Sequence, residues 1–89
     1  MAWKIELSAQ VDRELAKLDA QQSKRILKFL DERVAPLDNP RSIGQALDGS
    51  RFGEIWKYRL GDYRLICKIE DTRLLILVLR VGHRKEIYR

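Results

Sequence analysis

The sequence predicts a small α+β domain with the element order β-α-α-β-β-β, in which a helical hairpin packs on one face of a small antiparallel sheet. Two observations lead to this prediction. Between residues 8 and 34 the apolar residues recur at helical spacing, and from Glu54 onward they alternate with polar residues, as in strands. The chain has 89 residues, which suits one domain, and we assign residues 1–89 to it.

The chain begins with a strand and a helix. Trp3, Ile5 and Leu7 alternate with charged residues, which predicts a half-buried strand. Ser8 follows and can accept a hydrogen bond from the first turn of a helix, so we expect a helix from this cap to about Leu18.

A second helix is predicted to start at Asp19, which forms a capping-box pattern with Gln22. Pro36 ends it. Residues 36–53 hold both prolines and three of the five glycines, so we expect mostly loop, with one helical turn near residues 43–47. The apolar stripe of the second helix comprises Ile26, Leu27, Phe29, Leu30 and Val34.

Three strands are predicted in the second half, at Ile55–Leu60, Tyr63–Glu70 and Arg73–Val81. Gly61–Asp62 fits a two-residue type II′ turn between the first two, and Asp71–Thr72 fits a second such turn. The last strand is apolar on both faces, so we expect it to be central and covered.

The Gly61–Asp62 turn determines which residues pair across the hairpin. It places Arg59 directly opposite Arg64, and it places Lys57 and both arginines on one face of the sheet. Opposed like charges destabilise a strand pair, which favours an anion between them. The alternatives are that the two arginines spread into solvent, or that they reach an Asp or Glu of a loop. Because the like-charge pair is relieved, we expect removal of Arg64 to leave stability equal or slightly raised. The expected pairs are Leu60 with Tyr63, Arg59 with Arg64, Tyr58 with Leu65, and Lys57 with Ile66.

The opposite face of these strands is predicted to form the core under the helices, and Cys67 on it is interpreted as a buried, unreactive thiol. This face comprises Trp56, Tyr58, Leu60, Tyr63, Leu65, Cys67 and Ile69.

The C-terminal segment adds further candidates. Gly82 ends the last strand, and Arg84 and Tyr88 are four residues apart, so one helical turn would place them on the same side. His83 is either a general base beside the arginines or a residue that shapes the turn, because histidine alone titrates near neutrality without a perturbed environment.

Charge and composition limit the class of protein. The net charge is +5, with +1 in residues 1–45 and +4 in residues 46–89, which indicates a polyanion site in the second half. One cysteine and one histidine exclude a disulfide framework and an ordinary zinc site. The longest apolar run has six residues, too few for a membrane span or signal peptide, so we expect a cytoplasmic protein without metal or cofactor.

The element order and four short motifs resemble the RelE/ParE superfamily of toxins from type II toxin–antitoxin operons, with the RelE branch nearer. The resemblance covers nearly the whole chain. The motifs are Leu47–Gly49, Trp56–Leu60, Gly61–Leu65, and Val81–Arg84 with Ile87 and Tyr88.

The resemblance implies catalytic roles for five residues. Lys57 and Arg59 match the two basic residues that activate the 2′-OH and bind phosphate, and Arg64 matches an arginine that stabilises the transition state. Arg84 matches the proposed general acid, and Tyr88 matches a tyrosine that stacks on or orients the base. We extend the predicted RNA-binding set to Lys57, Arg59, Arg64, His83, Arg84 and Lys85.

The function that the resemblance implies is ribosome-dependent cleavage of mRNA in the ribosomal A site, which inhibits translation. The 2′-OH attacks the adjacent phosphorus and leaves a 2′,3′-cyclic phosphate and a 5′-OH, without metal. The implied partners are a cognate antitoxin, the ribosome with its 16S rRNA, and mRNA, with no membrane. The alternatives are a ParE-like, non-enzymatic inhibitor of DNA gyrase, or a basic RNA- or ribosome-binding module without catalysis.

Overall fold

The computed structural model of the chain describes residues 2–47 and 55–87, and in them two helices pack on one face of a five-stranded sheet. The strand order is β1-β5-β4-β3-β2, so β5 is central, as predicted. The elements are β1 (Lys4–Leu7), α1 (Ala9–Lys17), α2 (Ala20–Phe29), a π-helical turn (Leu30–Val34), a 3₁₀ turn (Pro40–Ile43), β2 (Gln45–Ala46), β3 (Ile55–Leu60), β4 (Tyr63–Glu70), a 3₁₀ turn (Asp71–Arg73) and β5 (Leu75–His83).

Both predicted helix caps are confirmed. The Ser8 hydroxyl accepts a hydrogen bond from the Val11 amide at 3.1 Å, and Asp19 Oδ1 accepts one from the Gln22 amide at 2.9 Å. The capping box is only half formed, because Gln22 Oε1 is buried without a hydrogen-bond partner. Ser23 joins the two helices by donating its hydroxyl hydrogen to the Leu15 carbonyl at 2.8 Å.

The apolar stripe of α2 continues into the π-helical turn. Ile26, Leu30 and Val34 are buried in the core, as their spacing predicts. Leu27 is an exception, with 42% of its surface exposed. It lies next to Ile26 on the helix, about 100° further round the axis at 3.6 residues per turn, and there it lines a surface depression beside β1.

The sheet is antiparallel at every strand pair except one, because β1 pairs with β5 in parallel. The connection from β1 to β5 includes the helical hairpin and strands β2, β3 and β4, so it is long enough for the two strands to pair in parallel. A short strand, β2, replaces the helical turn expected near residues 43–47. Gly44, just before β2, lies close to β3. A Cβ added at Gly44 would be 3.0 Å from Tyr58 Cε1.

The hairpin between β3 and β4 has the predicted register throughout, including Arg59 opposite Arg64. Gly61 has a φ of +59°, while Asp62 does not have a positive φ, which is the pattern of a type II′ turn. The second predicted turn is wrong in length. The chain turns through the 3₁₀ segment Asp71–Arg73 and then Leu74, which adopts a left-handed conformation with a φ of 47°.

The face of β3 and β4 that was predicted to be core packs under the helices. Tyr58 is fully buried and donates its hydroxyl hydrogen to the Pro40 carbonyl at 2.6 Å. Cys67 is buried as interpreted from the sequence, and burial raises the pKa of its thiol to about 12. The thiol therefore stays protonated at neutral pH and behaves as a small apolar group.

The pairing of β4 with β5 contains a β-bulge. Ile66 pairs with Arg80 and Cys67 pairs with Val78, so Leu79 is an extra residue in β5. Two side chains of α1 bind this irregular stretch. Ser8 donates to the Leu79 carbonyl at 3.2 Å, and Glu14 accepts from the Val81 amide at 2.8 Å. Glu14 thereby occupies the edge of β5 that β1 leaves open beyond the Leu7–Val78 pair.

Candidate nucleic-acid interface

Five basic side chains line one open depression on the face of the sheet opposite the helices. Its volume is about 560 Å³. Strand alternation and the hairpin register bring three of these residues together from β3 and β4, as predicted, and the turn after β5 supplies the other two. We call this depression the basic cleft, and its lining residues are Lys57, Arg59, Arg64, Arg84 and Lys85.

Arg64 is held more firmly than the sequence indicates. It is only 8% exposed, and its Nη1 donates to the carbonyl oxygens of Gly61 and Tyr63, both at 2.9 Å. The partial negative charge of these carbonyls offsets the guanidinium charge opposite Arg59. The expectation that removal of Arg64 would leave the fold equal or more stable is therefore not supported, because that change leaves two carbonyls without this donor.

Arg84 reaches the cleft because the C-terminal turn is bound to the hairpin turn. The Arg84 amide donates to the Asp62 carbonyl at 2.7 Å, and its side-chain Nε lies 3.8 Å from Asp62 Oδ1. Both side chains are more than half exposed, so this ion pair is weak. The backbone hydrogen bond, rather than the ion pair, positions Arg84.

His83 lies on the opposite face of the sheet from the basic cleft. It pairs with Tyr63 across β4 and β5, and the two rings form an edge-to-face contact with centroids 6.1 Å apart. Its Nδ1 accepts a hydrogen bond from the Lys85 amide at 3.2 Å, and its side chain lines a different depression that α1 borders. The structure therefore does not bring His83 together with the other predicted RNA-binding residues.

The bulge at Leu79 is the reason for this placement. Ile76 and Val78 face the core, and simple alternation from them would place His83 on the cleft face. One extra residue in β5 reverses the alternation, so that Val81 and His83 face the helices and Gly82 lies opposite Arg64. Two interpretations of His83 were drawn from the sequence. Its hydrogen bond with the Lys85 amide fits the interpretation in which His83 shapes the turn.

The remaining predicted catalytic residue, Tyr88, lies outside the described residues. The same applies to residues 48 and 49 of the Leu47–Gly49 motif.

The cations of the cleft differ in how they are paired. Within residues 2–47 and 55–87, Arg59, Arg64 and Lys85 have no carboxylate oxygen within 4.0 Å, whereas Arg84 has its long contact with Asp62. Clustered cations that lack nearby carboxylates repel one another, and an anion bound between them reduces this electrostatic repulsion. The site is therefore suited to phosphate groups.

Sequence reasoning missed a second basic depression, which Arg25, Lys28 and Arg33 of the α2 region line together with Arg59. It was missed because the charge was summed over residues 1–45, where seven acidic residues reduce the net value to +1. The signal that could have revealed it is the spacing of Arg25 and Lys28, which places them on neighbouring positions of one helix face.

Metal-binding clusters and membrane-spanning helices are both absent from the described part of the chain. Residues 2–47 and 55–87 hold no group of three or more His, Cys, Asp or Glu side chains placed to bind a metal ion. No helix among them has the length and apolar character needed to cross a membrane.

The structure is a small α+β domain with a basic cleft on one face of its sheet, and comparison with known proteins identifies its family. The model for the ParE toxin of type II toxin–antitoxin systems, parDE, matches residues 5–88. This chain therefore belongs to the ParE toxin family, within the RelE/ParE superfamily.

The individual similar proteins carry RelG and RelE names. Toxin RelG of Mycobacterium tuberculosis is 29% identical over 91 residues, covering 100% of this chain and 99% of the relative. The RelBE2 toxin–antitoxin complex of the same organism contains a chain with a TM-score of 0.83 at 23% identity, covering 97% of this chain and 95% of that one. The archaeal RelE–RelB complex from Pyrococcus horikoshii gives a TM-score of 0.70 at 26% identity, covering 97% and 99%.

Proposed function

We propose that this toxin is a ribosome-dependent endoribonuclease of the RelE type, which cleaves mRNA in the ribosomal A site and so inhibits translation. The observation that carries the proposal is the basic cleft, where two lysines and three arginines line a single open depression. A phosphoryl-transfer transition state spreads negative charge over its oxygens, and positioned cationic donors stabilise such charge. We place this activity in the cytoplasm, where the ribosomes are.

In the proposed reaction, Lys57 takes the proton from the ribose 2′-OH. The 2′ oxygen then forms a bond to the adjacent phosphorus, and the bond from phosphorus to the 5′ oxygen breaks. The products are a 2′,3′-cyclic phosphate and a 5′-OH. Lys57 is assigned as the base because it lines the basic cleft on the same sheet face as Arg59 and Arg64, which would hold the phosphate.

The arginines stabilise the charge that develops on phosphate. Arg59 and Arg64 lie directly opposite each other, so a phosphate between them can accept hydrogen bonds from both. Arg84 is suited to the 5′ leaving oxygen. Because its guanidinium keeps its proton at any ordinary pH, we assign Arg84 as an electrostatic donor, and water supplies the proton that the leaving oxygen gains.

We also propose a cognate antitoxin as a partner. Homologous toxins have been solved as toxin–antitoxin complexes from Mycobacterium tuberculosis, Escherichia coli and Pyrococcus horikoshii. An antitoxin segment rich in carboxylates would neutralise the cations of the basic cleft and block access of RNA to it.

The match to the ParE family model favours a second candidate, inhibition of DNA gyrase without catalysis. The two functions differ in what they require of the cleft. An endoribonuclease needs the particular geometry of Lys57 and the arginines, whereas an inhibitor that only binds needs positive charge.

The proposal is tested by mapping mRNA 5′ ends in a purified translation system after addition of the toxin. We expect cuts that keep the register of the codons, appear only when ribosomes are present, and carry 5′-OH ends. A supercoiling assay with purified gyrase is run in parallel. Uncut mRNA together with lost supercoiling would replace the proposed function by the ParE-type one.

A further inference from the structure

The second depression lies on the α2 side of the hairpin turn and has a volume of about 370 Å³. We call its cations the α2 basic surface, which comprises Arg25, Lys28, Arg33 and Arg59. Phe29, Glu32 and Leu60 complete the lining. Phe29 and Leu60 pack against the core, so their apolar surface is partly buried within the fold.

The α2 basic surface is continuous with the basic cleft. Arg59 lines both depressions. The Arg25 guanidinium lies against the Gly61 backbone, since a Cβ added at Gly61 would be 3.2 Å from Arg25 Nη2. Arg64 contacts the same turn by donating to the Gly61 carbonyl. The hairpin turn therefore lies between two guanidinium groups, one belonging to each depression.

The cations of the α2 basic surface are unneutralised in the described part of the chain. Arg25, Lys28 and Arg33 have no carboxylate oxygen within 4.0 Å there, although Glu32 lines the same depression. All three are exposed. Arg73 and Lys68, by contrast, each contact Glu70.

Resting on the proposed function, we propose that the α2 basic surface binds the phosphate backbone of folded RNA next to the strand that enters the basic cleft. Phosphate contacts from lysine and arginine position a protein on nucleic acid without reading its sequence. A protein partner would instead require an apolar centre. The highly exposed Leu27 lies outside the α2 basic surface, in the depression beside β1. Because the cations and the exposed apolar residue lie in different depressions, the α2 basic surface is better suited to RNA than to a protein partner.

The test measures binding of the purified, antitoxin-free toxin to a short RNA hairpin at several salt concentrations. The variant is the triple change Arg25→Gln, Lys28→Gln and Arg33→Gln. The matched control also loses three exposed cations, through Arg13→Gln, Lys17→Gln and Arg73→Gln, and lies outside both depressions. The double variant Lys28→Gln and Arg33→Gln keeps the Arg25 contact with the turn and covers the case in which the triple variant does not fold.

We expect the triple variant to bind the hairpin at least tenfold more weakly at about 150 mM salt. The slope of log affinity against log salt should fall by about 1 for each lost phosphate contact. The control should change affinity by less than about threefold. Equal losses in variant and control would overturn the proposal, as would a variant that loses affinity for the antitoxin while keeping its affinity for RNA.

This readout is independent of cleavage. If mRNA is not cut but hairpin binding depends on Arg25, Lys28 and Arg33, the proposed function fails and the RNA-binding surface stands. If mRNA is cut and hairpin binding is indifferent to these residues, the inference alone fails.

Discussion

The two ends of β4 carry similar numbers of charged side chains but arrange them differently. At the Asp71 end, Arg41 forms a double hydrogen bond with Asp71 at 3.0 and 2.7 Å, and Glu70 contacts both Arg73 and Lys68. At the Gly61 end, Arg59 and Arg64 lie opposite each other, and neither has a carboxylate within 4.0 Å in the described residues.

The difference separates structural charges from charges available to a ligand. At the Asp71 end, each cation contacts a carboxylate of the same chain, with Glu70 shared between Arg73 and Lys68. Arg41 also lies over the Trp56 ring, 5.8 Å from its centroid. At the Gly61 end, backbone carbonyls position Arg64 and offset its charge only in part, and no carboxylate among the described residues neutralises it. A cluster that is ordered but still charged is suited to binding phosphate.

The largest expected effect at the Gly61 end follows from replacing Arg64. We expect Arg64→Ala to lower the mRNA cleavage rate by about 10² or more, as for loss of one transition-state donor. It should also destabilise the fold by about 1–3 kcal/mol, because the Gly61 and Tyr63 carbonyls lose a donor. Cleavage is measured at saturating ribosomes and stability by urea unfolding.

Arg59→Ala is the control for that experiment, because Arg59 is exposed and lacks the carbonyl contacts. It should lower cleavage with little change in stability. If Arg64→Ala were as stable as the parent, the carbonyl contacts would contribute nothing and the two arginines would be equivalent.

The next prediction concerns the backbone conformation of the hairpin turn at Gly61. Gly61→Ala should cost about 1–2 kcal/mol in the free energy of unfolding, because a left-handed conformation is unfavourable for a residue with a side chain. The added Cβ also approaches the Arg25 guanidinium, which is flexible and can move. Asp62→Ala is the comparison, since Asp62 does not have a positive φ, and equal costs at the two positions would contradict the type II′ turn.

The smallest expected effect concerns the Asp71 end. The side-chain hydrogen bonds from Arg41 hold the pKa of Asp71 below its usual value. A carboxyl with a lowered folded pKa adds stability above its unfolded pKa of ~3.9, and this stability is lost as the pH falls through the folded value. In the Asp71→Asn variant, Tm should therefore depend slightly less on pH below about pH 4 than it does in the parent.

The Arg41→Gln variant should reduce the pH dependence of Tm in the same way, because it removes the hydrogen bonds that lower the pKa of Asp71. The double variant should add nothing to either single change. Additive effects would show that Asp71 has another partner that lowers its pKa.

The hairpin was predictable in detail because a two-residue turn permits one register. Once Gly61–Asp62 was recognised as the turn, the positions of Lys57, Arg59 and Arg64 on one face followed from alternation alone. The helices were predictable from Ser8 and Asp19 because caps have a short-range signal.

The features that sequence reasoning missed depend on distant contacts. The bulge at Leu79, which turns His83 away from the cleft, is bound by Ser8 and Glu14 from α1, about seventy residues earlier in the chain. The parallel pairing of β1 with β5 also joins the two ends of the chain. The placement of Arg64 is an exception, because it depends on carbonyls only one and three residues away, whose positions no residue pattern encodes.

The central claim is that chemistry occurs on the face of the sheet that carries the basic cleft. Its most direct test is single-turnover cleavage on pre-bound ribosomes, comparing Lys57→Ala with His83→Gln across the pH range. We predict that Lys57→Ala loses cleavage by about 10² or more. His83→Gln should keep most of its rate and the pH profile of the parent, because His83 lies on the other face. An inactive His83→Gln variant beside an active Lys57→Ala variant would contradict this account and assign the base to the histidine.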